Sequence, residues 1–251
     1  MNDLPRPRGL GERLVRLGEE IAPAELFPVE VPEARTLLSQ STYAFCIAGC
    51  LDRGMEASVV WTIPYDLRNE LGHLDPFRIR EMSEVQLAGV FQRLPRRPRY
   101  VNDAPRTIRG LTAIVVDENR GEASGIWKNR PAAEVYRTFR RVHGVGDGIA
   151  NMMVLLIEKA YAVRFNDLDR RSMDIKPDIH TMRVLFRTGA ANTETTEHAK
   201  AAARRLWPEY PGAIDGSLWR IGQQWCRTKH PDCGHCPLDD LCPKVGVGAV
   251  N

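Results

Sequence analysis

The stretch PAAEVYRTFRRVHGVGDGIANMMVLLIEKAY, residues 131–161, decides the fold. Pro131 opens a run over 131–142 in which Ala132, Val135, Tyr136, Phe139 and Val142 recur at helical spacing. A second run places Ile149, Ala150, Met153, Ile157 and Tyr161 on one helical face. Between them stand His143, Gly144, Val145 and Gly146. A turn this short between two helices needs glycine. The same glycines let a phosphate approach the backbone, and the second helix then begins with free N–H groups and a positive dipole end.

About eighty residues further on, Cys226, Cys233, Cys236 and Cys242 fall within one short segment, spaced C-x6-C-x2-C-x5-C. Four thiolates suit zinc or an iron–sulfur cluster. Structural zinc sites usually come as two close pairs. Here only Cys233 and Cys236 are close, and the wide outer loops favour the larger group. Cys46 and Cys50 lie far upstream in an apolar stretch and read as buried small hydrophobes.

Between hairpin and cysteines runs Lys176-Pro177-Asp178-Ile179-His180-Thr181-Met182-Arg183. The pattern predicts a helix over 179–188, closed by Gly189, with Asp178 as its N-cap.

The hairpin, the aspartate segment and the cysteine spacing, in this order, resemble the helix-hairpin-helix superfamily of DNA glycosylases, in particular its endonuclease III-like members with a [4Fe–4S] loop. The resemblance extends over roughly residues 38–243. It implies an all-α, two-lobed fold: a helical barrel lobe over 39–160 that includes the hairpin, and an iron–sulfur lobe built from 1–38 and 161–251. It implies a [4Fe–4S] cluster on the four cysteines, which shapes a DNA-facing loop rather than acting as the catalyst, and Asp178 as the catalytic carboxylate. It also implies that the hairpin residues His143, Gly144, Val145 and Gly146 grip DNA, as do Arg227 and Lys229 of the cysteine loop. The partner would be duplex DNA carrying a damaged or mismatched base.

Two departures stand out. Members that also nick the strand carry a lysine two residues after the second hairpin glycine, where this chain has Gly148. That favours simple base excision over combined excision and lyase activity, with Lys176 as the alternative amine; a non-catalytic DNA-binding or redox-sensing role is the remaining reading. The family's gap-filling glutamine matches Arg53. The interval from Gly148 to Asp178 is long, and its charged piece over 163–174 reads as a loop beside the pocket or a solvated insertion.

Residues 93–109 hold six arginines against one acid, Asp103. Pro95 and Pro98 exclude regular helix there. In the resemblance this is the duplex-wedging loop, with Leu94 and Arg96 as wedge residues. Ser83 and Gln86 form a capping box ahead of it.

The net charge of +3 and 43% hydrophobic content fit an ordinary globular chain, so DNA affinity would come from local clustering. No run of 18 apolar residues predicts a membrane span, and the polar first twenty residues lack a secretory h-region. The expectation is a monomer in the cytoplasm, associated with the nucleoid, with no membrane partner.

Overall fold

A computed structural model describes residues 9–22, 25, 27 and 29–248. All regular structure among them is helical. The chain divides into two compact units, one formed by residues 23–168 and the other by residues 1–22 with 169–251.

The first unit contains α2 (Pro32–Gln40), α3 (Thr42–Leu51), α4 (Ala57–Val60), α5 (Ile63–Leu71), α6 (Pro76–Glu81), α7 (Glu84–Arg93), α8 (Ala104–Ala113), α9 (Ala132–Arg140) and α10 (Asp147–Ala160). Helix α3 is its axis. Tyr43 through Leu51 are all buried, because TYAFCIAGCL carries no charge and can be surrounded on every side. Helices α2, α5, α8 and α10 pack around it. Ser41 caps α3 through its side chain, accepting from the Ala44 amide at 3.2 Å. An aromatic cluster fills one end: Phe45 meets Phe27, Trp61, Trp127 and Tyr161 at centroid separations of 5.2–6.1 Å. Cys46 and Cys50 are fully buried beside it as free thiols, and burial pushes Cys50 up to about 12.

The second unit contains α1 (Leu10–Glu19), α11 (Ile179–Arg187), α12 (Thr196–Leu206) and α13 (Asp215–Gln224). Leu10, Leu14, Val184, Leu185, Leu218 and Ile221 form its core, with Ala199, Ala202 and Ala203 letting α12 approach closely. Each helix buries one apolar stripe, as its amphipathic sequence requires.

The division falls elsewhere than at 38/39 and 160/161. Residues 29–38 belong with the α3 unit because α2 packs on α3 and α5 and Phe27 stacks on Trp61 at 5.7 Å. Residues 161–168 belong there too. The Asp167 carboxylate accepts from the Ala132 amide at 2.9 Å and so caps the start of α9. The charged stretch over 163–174 is therefore the connection between the units, tied down at Asp167 and again at Asp174, which takes two bonds from Arg204 at 2.8 and 2.7 Å.

Candidate functional site

The hairpin forms where the sequence places it. Pro131 is the N-cap of α9, the turn occupies 141–146, and Gly146 is the N-cap of α10. Val142 and Val145 are 2% exposed and anchor the turn in the core. The Val145 amide donates to Val142 O at 3.1 Å, and Thr107 Oγ1 donates to His143 O at 2.9 Å. The Gly144 and Gly146 amides have no hydrogen-bond partner among the described residues. Space around the Gly146 Cα is open, so an anion can reach this end of α10. Gly144 is at φ +81°, a left-handed conformation that other residues adopt only with strain. Asp147, at the first position of α10, is paired with Arg140 at 2.7 Å and accepts from Tyr136 at 2.6 Å. Gly148 lies in the same first turn and supplies no amine.

The remaining barrel residues fall out differently. Arg53 does not project freely. Its side chain is 19% exposed, and its guanidinium lies 3.4 Å from Thr107 Oγ1 and 4.9 Å from the centre of the Tyr100 ring. Leu94 is 3% exposed and belongs to the core, and so cannot wedge a duplex. Arg96 makes a bidentate pair with Asp66 at 2.8 and 2.7 Å, and the Asp66 side chain is 3% exposed. That pair holds the irregular loop onto α5. The capping box of Ser83 and Gln86 is formed in full.

In the other unit, Asp178 is the extended N-cap of α11. Its Oδ1 accepts from the amides of His180 and Thr181, both at 2.8 Å, while Thr181 Oγ1 accepts from the Asp178 amide at 2.9 Å. Its Oδ2 has no hydrogen bond among the described residues. The carboxylate is thus fixed by one oxygen and open at the other. Ile179, beside it, is 65% exposed. Lys176 is tethered through its backbone, its amide donating to Asp215 Oδ1 at 2.9 Å.

Two residues that sequence reasoning left without a role connect this helix to the cysteines. Arg183 is 5% exposed. Its Nε donates to Cys226 O at 2.6 Å and its Nη2 to Gly222 O at 2.9 Å. Arg187, one turn later, donates from Nη1 to Arg227 O at 2.7 Å and from Nη2 to Thr228 O at 3.2 Å, with Cys226 Sγ 3.6 Å from Nη1. The available signal was two arginines at i and i+4 flanking the apolar Val184 and Leu185. A buried guanidinium must find carbonyl acceptors, and the cysteine loop offers them. Helix α13 can approach this closely because a Cβ on Gly222 would fall 2.7 Å from His180 Cβ.

All four loop cysteines line one small pocket, with Arg187, Trp225, Pro231 and Val247 among its other walls. All four are free thiols. Burial raises Cys236 to about 11 and moves Cys242 in the same direction, with the neighbouring cysteines adding to both. Among the described residues, no group of three or more His, Cys, Asp or Glu side chains is set to hold a single metal ion. Residues after the last cysteine cover the loop. The Val245 amide donates to Arg187 O at 3.0 Å, and Val247 reaches the pocket wall. Arg227, Lys229 and His230 are exposed on the outer side of the loop.

No helix among the described residues is long and apolar enough to cross a membrane.

No protein-family model matches the chain. Across solved structures it resembles a trapped endonuclease III–DNA covalent intermediate, with a TM-score of 0.61, 16% identity and 94% of each chain covered. It also resembles a thermostable thymine-DNA glycosylase, with a TM-score of 0.58, 14% identity and coverage of 95% of this chain and 96% of that one. The fold is therefore that of the helix-hairpin-helix DNA glycosylases. A segment of 66 residues is 35% identical to endonuclease III of Thermotoga maritima; the match spans 26% of this chain and about a third, 31%, of that protein.

Proposed function

We propose that the protein is a monofunctional DNA N-glycosylase acting on a damaged or mismatched base in duplex DNA. The observation that carries this reading is the state of Asp178: Oδ1 immobilised by two amides, Oδ2 open. Hydrolysis of an N-glycosidic bond breaks C1′–N and develops cationic character on the sugar. A fixed carboxylate stabilises that charge and orients a water, whose oxygen bonds to C1′ and keeps one proton while the other passes by way of the carboxylate to the departing base. The base must first leave the helical stack. The unpartnered amides of Gly144 and Gly146 suit the phosphate grip that holds the distorted strand. Gly148 provides no Schiff-base amine, which supports excision without strand nicking.

Cys226, Cys233, Cys236 and Cys242 would hold a [4Fe–4S] cluster. Support comes from four free thiols around one pocket that are not gathered on a point, an arrangement suited to a group wider than one ion. Bound there, the cluster supplies rigidity and charge rather than bond chemistry. Arg187 at its edge offsets the negative thiolates, and Arg227 and Lys229 on the outer side of the loop face phosphates.

The test is a panel of single-lesion duplexes, assayed with and without alkali beside Asp178→Asn. The reading expects alkali-dependent breaks on at least one lesion and none with the variant. Breaks without alkali would instead indicate lyase chemistry through a lysine such as Lys176. A protein that cleaves no lesion while binding DNA would be a non-catalytic member of the fold.

A further inference from the structure

The hairpin turn is filled on one side and open on the other. A Cβ on Gly144 would fall 1.9 Å from Arg53 Nη1, so a guanidinium already occupies that side. Nothing lies within 4 Å of a Cβ on Gly146. A phosphate therefore has the Gly146 amide and the start of α10 as its way in. The next residue in the chain is Asp147.

A carboxylate is an unexpected neighbour for a phosphate. The Asp147 side chain is 69% exposed and stands at the first position of α10, where free amides and the helix dipole favour an anion. Its Oδ1 lies 2.7 Å from Arg140 Nε and accepts from the Tyr136 hydroxyl at 2.6 Å. The bond to this anion pushes the Tyr136 hydroxyl above its usual range. Arg140, the last residue of α9, also donates from Nη1 to Val145 O and so spans the turn. The cation that spans the turn thus already holds a carboxylate. A phosphate on the Gly146 amide would share one helical turn with Asp147, about 5 Å of rise. That is inside the roughly 8 Å over which physiological salt leaves charges unscreened.

We infer that Asp147 is an autoinhibitory anion: its carboxylate stands on Arg140 in the place of a backbone phosphate, and DNA is gripped by exchanging one anion for the other. The inference rests on the reading of the hairpin as a phosphate grip and adds that this chain carries its own competitor for it. Two effects weaken binding to any duplex. The carboxylate repels the phosphate, and Arg140 is not free to meet it. A complex persists where further contacts, such as those to an extruded nucleotide, outweigh both. Asp147 thereby limits the time spent on intact DNA.

The experiment uses the full chain and a short undamaged duplex. The dissociation constant is read across a salt series, beside the melting temperature of each protein. Asp147→Asn keeps an acceptor for Tyr136 and Arg140 but loses the charge. It should bind about tenfold tighter at low salt. Its plot of log affinity against log salt should be steeper by about 0.9, the increment for one added phosphate contact. Asp147→Ser, which also suits a helix start, should do the same and decides the matter if the asparagine variant folds poorly. In an Arg140→Gln background, Asp147→Asn should leave the slope unchanged, because no cation is freed. Tyr136→Phe keeps the charge and should not tighten binding. A carboxylate that only stabilises α10 would give a lower melting temperature with unchanged or weaker DNA binding in both Asp147 variants, and that result overturns the inference. So does tighter binding by Tyr136→Phe, which would trace the effect to a loosened turn. Wild type and variants that all fail to bind the duplex at low salt overturn the phosphate grip itself. Base excision is decided separately by the lesion panel, so its failure beside tighter binding by Asp147→Asn removes the excision reading and leaves this inference standing.

Discussion

Arg183 Nε donates to the carbonyl of Cys226 at 2.6 Å from a position where its side chain is almost wholly buried. Five residues upstream, Asp178 is the N-cap of the same helix. One helix therefore carries the carboxylate proposed to drive excision at its N-cap and grips the first cysteine of the loop from its interior. Arg183→Met would leave the Cys226 and Gly222 carbonyls without their donor at a buried site, at a cost of about 2–4 kcal/mol. Arg183→Lys should recover little, because an ammonium cannot reproduce a fork that reaches two carbonyls at once. Denaturant unfolding of both variants checks this. A loss below about 0.5 kcal/mol would mean that the contact is dispensable.

Asp178 caps α11 and, on the proposed function, drives excision; substitution separates the two. Asparagine still accepts the His180 and Thr181 amides, so Asp178→Asn should melt like wild type. On the excision reading it removes the negative charge that would face the sugar, so single-turnover excision should fall about 100- to 1,000-fold. Asp178→Ala should lose the cap as well, about 1 kcal/mol of stability. Equal activity in Asp178→Asn and wild type would remove this carboxylate from the chemistry.

Local signals were legible in the sequence, and partner choice over distance was not. Pro131, the spacing of Val135 and Phe139, and the glycines at 144 and 146 act within a few residues, and the α9–turn–α10 unit follows them closely. The same holds for Asp178 with Thr181 and for Ser83 with Gln86, caps whose chemistry closes within four positions. Leu94 and Arg96 share an arginine-rich stretch, but nothing local says that one enters the core and the other pairs with Asp66 from α5. Asp167 caps a helix that began 35 residues earlier, and Arg187 reaches a loop 40 residues away. These choices are made by packing, after the helices exist. Arg53 shows the same limit: its match to the family's gap-filling position was readable, whereas its enclosure by Tyr100 and Gly144 depends on three segments meeting.

The cysteine loop yields a colour test. Protein purified without oxygen should absorb in the blue-violet and contain about four irons per chain. Zinc, a d¹⁰ ion, would leave it colourless. Cys236→Ser should lose the absorbance. Val247→Asp, which introduces charge and water at the pocket wall, should keep the iron at first but bleach faster in air or with an iron chelator. A colourless protein containing one zinc would replace the cluster with an ion.

Asp167 makes a pH prediction of definite sign. Hydrogen bonds from the Ala132 and Ala133 amides hold its carboxyl below the usual carboxylate range. A depressed folded value means that its contribution is present above the unfolded value and is lost as pH falls through the folded one. The melting temperature of wild type should therefore drop on acidification partly through this cap, and Asp167→Ala should start lower at neutral pH and show a shallower acid drop. Because Asp167 joins the linking segment to the start of α9, the variant should also expose residues 163–168 to faster hydrogen exchange, while the α3 core keeps its protection. Parallel acid profiles for wild type and Asp167→Ala would show that the cap contributes nothing to stability, and that other contacts hold the segment in place.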